Sequence, residues 1–316
     1  MRTLLTLFFC VAWTPLAFAV PTPPPTKVKL ALNWKAEPQF GGFYAGKLDG
    51  AFKKHNLDVE IIEGGSGTPT VQMVAAGQVD FGIVSAEEIL ISRDHGADVV
   101  GVFAAFQTNP QAIMTHESQH YHSLKDVFAA DGTLAWQSGL SYAQYLQKKY
   151  PNSKVQKVPY AGGIGSFVKN PKFSQQCFFT SEPLLATAAG ESVKTFLIAD
   201  EGFNPYTTVV ATTRAKIKAH PEVVSAMVQA IREGWTSYLQ NPDAVNRSMS
   251  GLNHAMDLQT FAKSAQAQKP LIETAETKNG GLGKMSEKRW QELSTQLREL
   301  QLIKKAPVVT EAYQNF

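Results

Sequence analysis

Asn33-Trp34-Lys35-Ala36-Glu37-Pro38-Gln39-Phe40-Gly41-Gly42-Phe43-Tyr44 follows an alternating apolar segment, Val28, Leu30 and Leu32, and leads into a helical pattern. Alternation with a period of two marks a strand, and the change to a helical period marks its hand-over. A polar, aromatic elbow therefore sits where a strand ends and a helix begins, a favoured position for ligand sites in open α/β sheets. Downstream, Gly77-Gln78-Val79-Asp80-Phe81-Gly82 reads as a helix end followed by a new strand.

Outward from the elbow the pattern repeats. Strands are expected at Val28–Leu32, Asp58–Ile62, Asp80–Val84 and Val99–Phe106, and helices at Gly42–Lys54, Thr68–Ala76 and Glu87–Asp94. This alternation argues for βαβ units and a mostly parallel sheet. A second set has strands at Ala112–Thr115, Thr133–Trp136, Val155–Val158, Gln176–Phe179 and Val193–Ile198, with a helix at Tyr142–Tyr150. Two polar connectors containing proline, Gln107-Thr108-Asn109-Pro110 and Asn204-Pro205-Tyr206, separate the sets. They imply a first lobe of residues 27–108 and 206–316, interrupted by a second of 109–205, with the connectors as hinge. The remainder is helical. Pro221 suits a helix start, and Val224, Met227, Ile231, Trp235 and Tyr238 form a stripe expected to pack on the sheet. Asn279-Gly280-Gly281-Leu282-Gly283 reads as a loop, and Trp290, Leu293, Leu297 and Leu300 mark the last long helix.

The N-terminus reads as a secretory signal over residues 1–19. Arg2 is followed by an apolar core from Leu4 to Trp13 and a small-x-small cleavage site, Ala17-Phe18-Ala19. The stretch is too short to span a bilayer, which takes about 20 apolar residues. The mature chain then opens on a proline-rich tether, residues 20–26, expected to be extended and solvated. A formal net charge of +3, without a run of basic residues, leaves no footprint for nucleic acid, and no membrane insertion is expected once the signal is cleaved. Cys10 leaves with the signal, so Cys177 has no internal disulfide partner and is expected to be protected by burial.

Enzymatic motifs do not emerge. Gly64-Gly65-Ser66-Gly67-Thr68 lacks the final glycine of a hydrolase elbow, and Gly280-Gly281-Leu282-Gly283-Lys284 has Met285 where a phosphate loop needs Ser or Thr. His116, Glu117, His120 and His122 have the composition of a metal site but read as a solvated surface loop. The binding constellation is better supported. Asn33, Trp34, Gln39 and Phe40 lie at the first elbow, Gly65 and Ser66 at the second strand-to-helix turn, and Ser85 and Glu87 after the third strand. Free N–H groups at the second turn would hold a polar or anionic group. The second set contributes Trp136, Ser138, Tyr160, Gly162, Thr180 and Glu182. Aromatic faces would stack on a flat heteroaromatic ligand, while amides and carboxylates read its edge. Asn33 would pair with a ring nitrogen and Glu182 with an exocyclic amine. Phe40 serves equally well as core.

Leu32-Asn33-Trp34 with Gly42-Phe43-Tyr44, Gly77-x-Val79-Asp80-x-Gly82 and Thr180-Ser181-Glu182-Pro183 resemble the solute-binding proteins of the thiamine-pyrimidine-synthase-like group, relatives of the sulfonate-binding proteins of ABC importers. The resemblance covers roughly Lys27 to Phe316 and implies a two-lobed type II periplasmic binding protein fold of the α/β class, with mixed sheets flanked by helices and a hinged cleft. It implies a periplasmic monomer without a cofactor that binds a thiamine pyrimidine precursor or a riboflavin-like molecule and delivers it to an ABC permease. Sulfonate relatives would call for a cleft arginine, which the turns do not offer. The group also contains an enzyme of thiamine biosynthesis that binds pyridoxal phosphate. Its lysine and histidine correspond here to Val84 and Glu88, so the aldimine-forming lysine is lacking. A sensory binding protein is the further alternative.

Overall fold

The structure, a computed structural model, describes residues 23–316; the expected signal and the tether up to residue 22 lie outside the described residues. Among the described residues the strands are β1 (Thr26–Ala31), β2 (Leu57–Ile62), β3 (Phe81–Val84), β4 (Val99–Phe106), β5 (Gln111–His116), β6 (Thr133–Trp136), β7 (Gln156–Pro159), β8 (Phe173–Phe178), β9 (Val193–Leu197) and β10 (Thr207–Thr213). They form two sheets, ordered β2-β1-β3-β10-β4 and β7-β6-β8-β5-β9. The sheets are mixed: β10 runs antiparallel to β3 and β4, and β5 antiparallel to β8 and β9. The chain passes between the sheets twice, through residues 107–110 and 198–206. The connectors touch, the Asn109 N–H donating to Asn204 Oδ1 at 2.8 Å.

The Gly77–Gly82 motif has a structural explanation. Gly77 takes a positive φ of 68°, which closes the turn after the Thr70–Ala75 helix. Asp80 then fastens three elements. Its Oδ2 accepts from the Lys29 N–H at 2.8 Å, its Oδ1 from Lys216 Nζ at 2.6 Å, and its carbonyl from the Thr212 hydroxyl at 2.8 Å. A Cβ at Gly82 would lie 2.6 Å from Val74 Cγ2, so the helix can rest on β3 only there.

The helix stripe packs as expected, with Val224, Met227, Ile231, Trp235 and Tyr238 all buried on the Pro221–Gln240 helix. Its partner is the Gly41–Leu48 helix, and the two approach closely enough that a Cβ on Gly234 would meet Gly42 O at 2.2 Å. The expected helix from Gly42 to Lys54 is instead two, Gly41–Leu48 and Ala51–Lys54, broken where Gly50 takes φ 80°. Thr26, expected in the tether, already pairs with Leu57 in β1. The loop expected from Asn279 begins two residues later, because the Ala275–Gly280 helix includes Asn279 and Gly280. Helices at Leu124–Ala129 and Gly165–Lys169 were not placed from the sequence, while those at Glu182–Ala188, Asp243–Ser250 and Leu258–Ile272 give bounds to stretches read only as helical or as leading into a helix.

His116 is not on a solvated loop. It is 5% exposed, stacked on Phe167 with ring centroids 3.9 Å apart, with Nε2 2.9 Å from Phe167 O and Nδ1 3.2 Å from Glu191. The ring ties β5 to the Gly165–Lys169 helix, which a surface reading of the histidines missed.

Candidate functional site

In each sheet, neighbouring parallel strands send their connections in opposite directions: β1 leads toward β2 and β3 toward β4, while β6 leads toward β7 and β8 toward β9. The gaps between β1 and β3 and between β6 and β8 are topological switch points, where loops part and leave a crevice. The two crevices face one another. Phe106 at the end of β4 meets Phe178 at the end of β8 edge-to-face at 6.0 Å, and Phe178, Phe179 and Leu197 pack on the core of the first sheet.

The first elbow is held rigidly. From behind, Asn253 Nδ2 donates to Ala36 O at 3.1 Å and Gln268 Nε2 to Pro38 O at 2.9 Å. From the side, the Gly64 N–H donates to Trp34 O at 3.1 Å. Glycine is required at 64, because a Cβ there would lie 2.2 Å from Leu32 O. Trp34, half-buried, donates from Nε1 to Glu37 Oε1 at 3.0 Å. Burial first, then Glu182, push that carboxyl up to about 7, against the opposing hydrogen bonds from Trp34 and Ser181 and the charge of Lys35.

Glu182 opens the Glu182–Ala188 helix. Its Oε1 accepts from the Tyr160 hydroxyl at 2.9 Å and its Oε2 from the Phe178 N–H at 2.8 Å. Burial raises this carboxyl too, the two donors opposing the shift. Burial and the nearby Glu182 also push up the Tyr160 and Tyr142 hydroxyls and the buried Cys177 thiol. Beside Tyr160 opens a pocket of 370 Å³, bounded by Trp136, Gln137, Ser138, Lys157 and neighbouring residues. Gln176 joins the two strands under it, accepting from the Gln137 N–H at 2.6 Å and the Tyr142 hydroxyl at 2.7 Å.

The structure thus brings together Ser138, Tyr160 and Glu182, with Trp34 on the elbow of the other sheet. Asn33 is half-buried beside Trp34, and Gly162 is exposed at φ 87° after Tyr160. Gln39 and Thr180 are buried in the two elbows. Other expectations are corrected. Phe40 is 1% exposed and belongs to the core of the first sheet. Trp136 is buried against Phe128 at a centroid distance of 5.7 Å, so it bounds the pocket without offering a free face. The turn with Gly65 and Ser66 is not a free cradle of N–H groups: Gly65 donates to Thr68 Oγ1 at 2.8 Å, and the helix begins only at Thr70. Ser85 is spent on its helix, its N–H and hydroxyl both donating to Glu88 Oε2 at 2.8 and 3.0 Å. Glu87 is buried in that first turn with Oε2 lacking a partner, and burial pushes its carboxyl up to about 8. Glu37, Lys157 and Gln176 were not anticipated. An acid inside the elbow that opens a switch point is the signal that marks Glu37. Among the described residues no three His, Cys, Asp or Glu side chains gather as a metal site.

A family model described as NMT1/THI5 like matches residues 37–245. The chain is 24% identical to the riboflavin-binding protein RibY of Chloroflexus aurantiacus over 322 residues, covering 96% of this chain and 90% of that protein. It is 20% identical over 296 residues to the formylaminopyrimidine-binding protein of Halalkalibacterium halodurans, covering 90% and 89%. A shorter match, 30% over 76 residues, joins 24% of the chain to 22% of the 4-amino-5-hydroxymethyl-2-methylpyrimidine phosphate synthase of Candida albicans. Among solved structures, the periplasmic aliphatic sulphonate binding protein SsuA of Escherichia coli superposes with a TM-score of 0.70 at 12% identity, covering 91% and 92%. A Candida albicans protein described as having the generic periplasmic binding protein structural fold gives 0.64 at 14%, covering 92% and 96%. These likenesses show the fold.

Proposed function

The chain belongs to the NMT1/THI5-like family, and from that premise we propose that it is an extracytoplasmic solute-binding protein for a small heteroaromatic ligand. The ligand, a thiamine pyrimidine precursor or a riboflavin-like molecule, is captured between two lobes, residues 27–108 with 206–316 and residues 109–205, and passed to an ABC permease. One observation carries this reading: an aromatic and carboxyl pair stands at each switch point, Trp34 with Glu37 and Tyr160 with Glu182, on either side of the place where Phe106 meets Phe178 between the sheets. A ligand touching both sheets favours the closed form by as much as it prefers that form to the open one. Within this reading residues 1–19 are an export signal removed after Ala19, and the mature protein works as a periplasmic monomer without a cofactor. The two relatives that match along most of the chain are named for riboflavin and a formylaminopyrimidine, both nitrogen heterocycles.

The short match to a pyrimidine phosphate synthase favours an enzyme as the second reading. Against it stands Val84, buried in β3 where the resemblance would place an aldimine-forming lysine. Melting of the chain from Val20 onward against thiamine, its aminopyrimidine precursor, riboflavin, pyridoxal phosphate and an alkyl sulfonate separates the readings. A ligand at 100 times its Kd adds about 2.7 kcal/mol. Stabilisation by a pyrimidine or flavin, weakened at least tenfold in Kd in Trp34→Ala with its unliganded melting preserved, is the expected result. Stabilisation by pyridoxal phosphate alone would favour the enzyme.

A further inference from the structure

A second cavity, of 270 Å³, lies between the second connector and the last long helix, and no residue assigned to the cleft lines it. Gly202 and Asn204 of the connector supply one side. Arg289, Glu292 and Gln296 of the Glu287–Glu299 helix supply the other, together with Glu276. Gln296 joins the two sides, Nε2 donating to Gly202 O at 2.7 Å, and its amide oxygen can still accept.

The cation in this cavity is poorly satisfied. The Arg289 side chain is 13% exposed, with its guanidinium 3.8 Å over the Tyr206 ring. Nη2 donates to Asn204 O at 2.8 Å. Its one ion pair among the described residues, from Nη1 to Glu276, is 3.8 Å long and outside hydrogen-bond range. Most of the five N–H groups therefore lack a protein acceptor among the described residues. Burial lowers the pKa from the ordinary arginine range, with Tyr206, Glu276 and Glu292 opposing the shift. A guanidinium drawn out of water in this way is costly until an oxyanion takes its fork. The acids lie farther out, Glu276 being 61% and Glu292 59% exposed, and Lys288 approaches Glu292 only to 3.9 Å. Charge is thus sorted by depth, positive inside and negative toward solvent.

We propose that this cavity is a second ligand site, for a small zwitterion that turns its carboxylate to Arg289 and its ammonium to Glu276 and Glu292. A simple anion would suit Arg289 but meet two acids, and a simple cation would suit the acids but meet Arg289. A molecule carrying both charges a few bonds apart meets each with its opposite. The Gln296 amide oxygen accepts from the same ammonium. Because the zwitterion touches both the second connector and the last helix, its occupancy braces that connector. The site does not depend on what the cleft binds.

The test is titration calorimetry of the chain from Val20 onward, with glycine, L-serine, acetate and methylammonium as probes, joined to amide hydrogen exchange. Glycine and L-serine are expected to bind, and acetate and methylammonium to bind about tenfold more weakly or less. Arg289→Lys keeps the charge but not the fork, and is expected to weaken glycine about tenfold. Glu276→Gln combined with Glu292→Gln changes only exposed side chains, so it keeps the test open should Arg289→Lys fail to fold. That double variant is expected to bring glycine down to the level of acetate. Added glycine is expected to slow exchange in residues 202–206 and 286–296 and nowhere else. Binding of neither glycine nor L-serine would overturn the site. Protection that appears instead at residues 33–40 or 180–182 would place the zwitterion in the cleft and overturn it equally. Acetate binding as tightly as glycine would overturn the part given to Glu276 and Glu292.

Discussion

Glu87 shows how much a single buried acid can hold in reserve. It lies in the first turn of the Ala86–Asp94 helix, with one oxygen unpartnered and its carboxyl raised to about 8. A raised folded-state value means the folded chain binds the extra proton. The contribution is therefore fully present below the unfolded value near 4.5 and is lost as pH rises through about 8. We expect the unliganded protein to lose thermal stability progressively from pH 5 to pH 8. Glu87→Gln should melt higher than the natural chain at pH 8 and within about a degree of it at pH 5, leaving a residual slope from Glu37. A slope unchanged in the variant would show that the carboxyl reaches water. At this scale the sequence was a partial guide. Glu182 stood out because it follows a strand and precedes proline, and the structure puts it at the centre of the cleft network. Glu37 lies in the quoted elbow, but nothing local in the sequence shows that its carboxyl is buried and holds the Trp34 indole N–H. Ser85 was visible as a hydroxyl after a strand, but nothing local told a ligand group from a capping box closed by Glu88.

Elements were far more legible than side-chain roles, for a physical reason. A strand buried on both faces and an amphipathic helix each write a period into contiguous residues, so β4 and the Pro221–Gln240 helix were placed with little error at their ends. The short helices after β5, β7 and β8 span only five to seven residues, too few to write such a period, even where a local Ser123–Asp126 capping box starts the first of them. Where two helices touch, glycine decides. Gly42 and Gly234 let the Gly41–Leu48 and Pro221–Gln240 helices approach until backbone meets backbone and Trp235 covers the contact. Alanine at either position must push that contact apart. We expect Gly42→Ala or Gly234→Ala to cost about 1–3 kcal/mol in urea unfolding, in spite of alanine's better helix propensity. A neutral or stabilising effect would mean the helices slide freely. Because the Gly41–Leu48 helix begins where the elbow ends, the loss should also weaken ligand binding.

For the molecule as a whole, the proposed closure would turn on the two connectors that carry the chain between the sheets. The second is clamped from outside the cleft: the Arg289 guanidinium lies 3.8 Å over the Tyr206 ring and donates to Asn204 O at 2.8 Å. Asn204 in turn accepts from the first connector. Arg289→Ala removes a stacked cation and a charged hydrogen bond together, with an expected cost of about 1–3 kcal/mol. If the clamp also sets the angle of the joint, the radius of gyration without ligand should rise in the variant and return on adding ligand. An unchanged radius would confine Arg289 to a stabilising role.

The place of β10 has a consequence in time. It is keyed between β3 and β4, and Asp80 is fastened to Lys216, 136 positions further along the chain. The second sheet uses only strands β5 to β9, contiguous in sequence, whereas the first lacks an interior strand until residue 213 has emerged. A growing chain can therefore complete its second sheet while the first is still split into two pieces with unpaired edges. Pairings this distant along the chain form slowly. The strand that arrives late thus leaves half of the molecule unfinished until about two-thirds of the chain has been made.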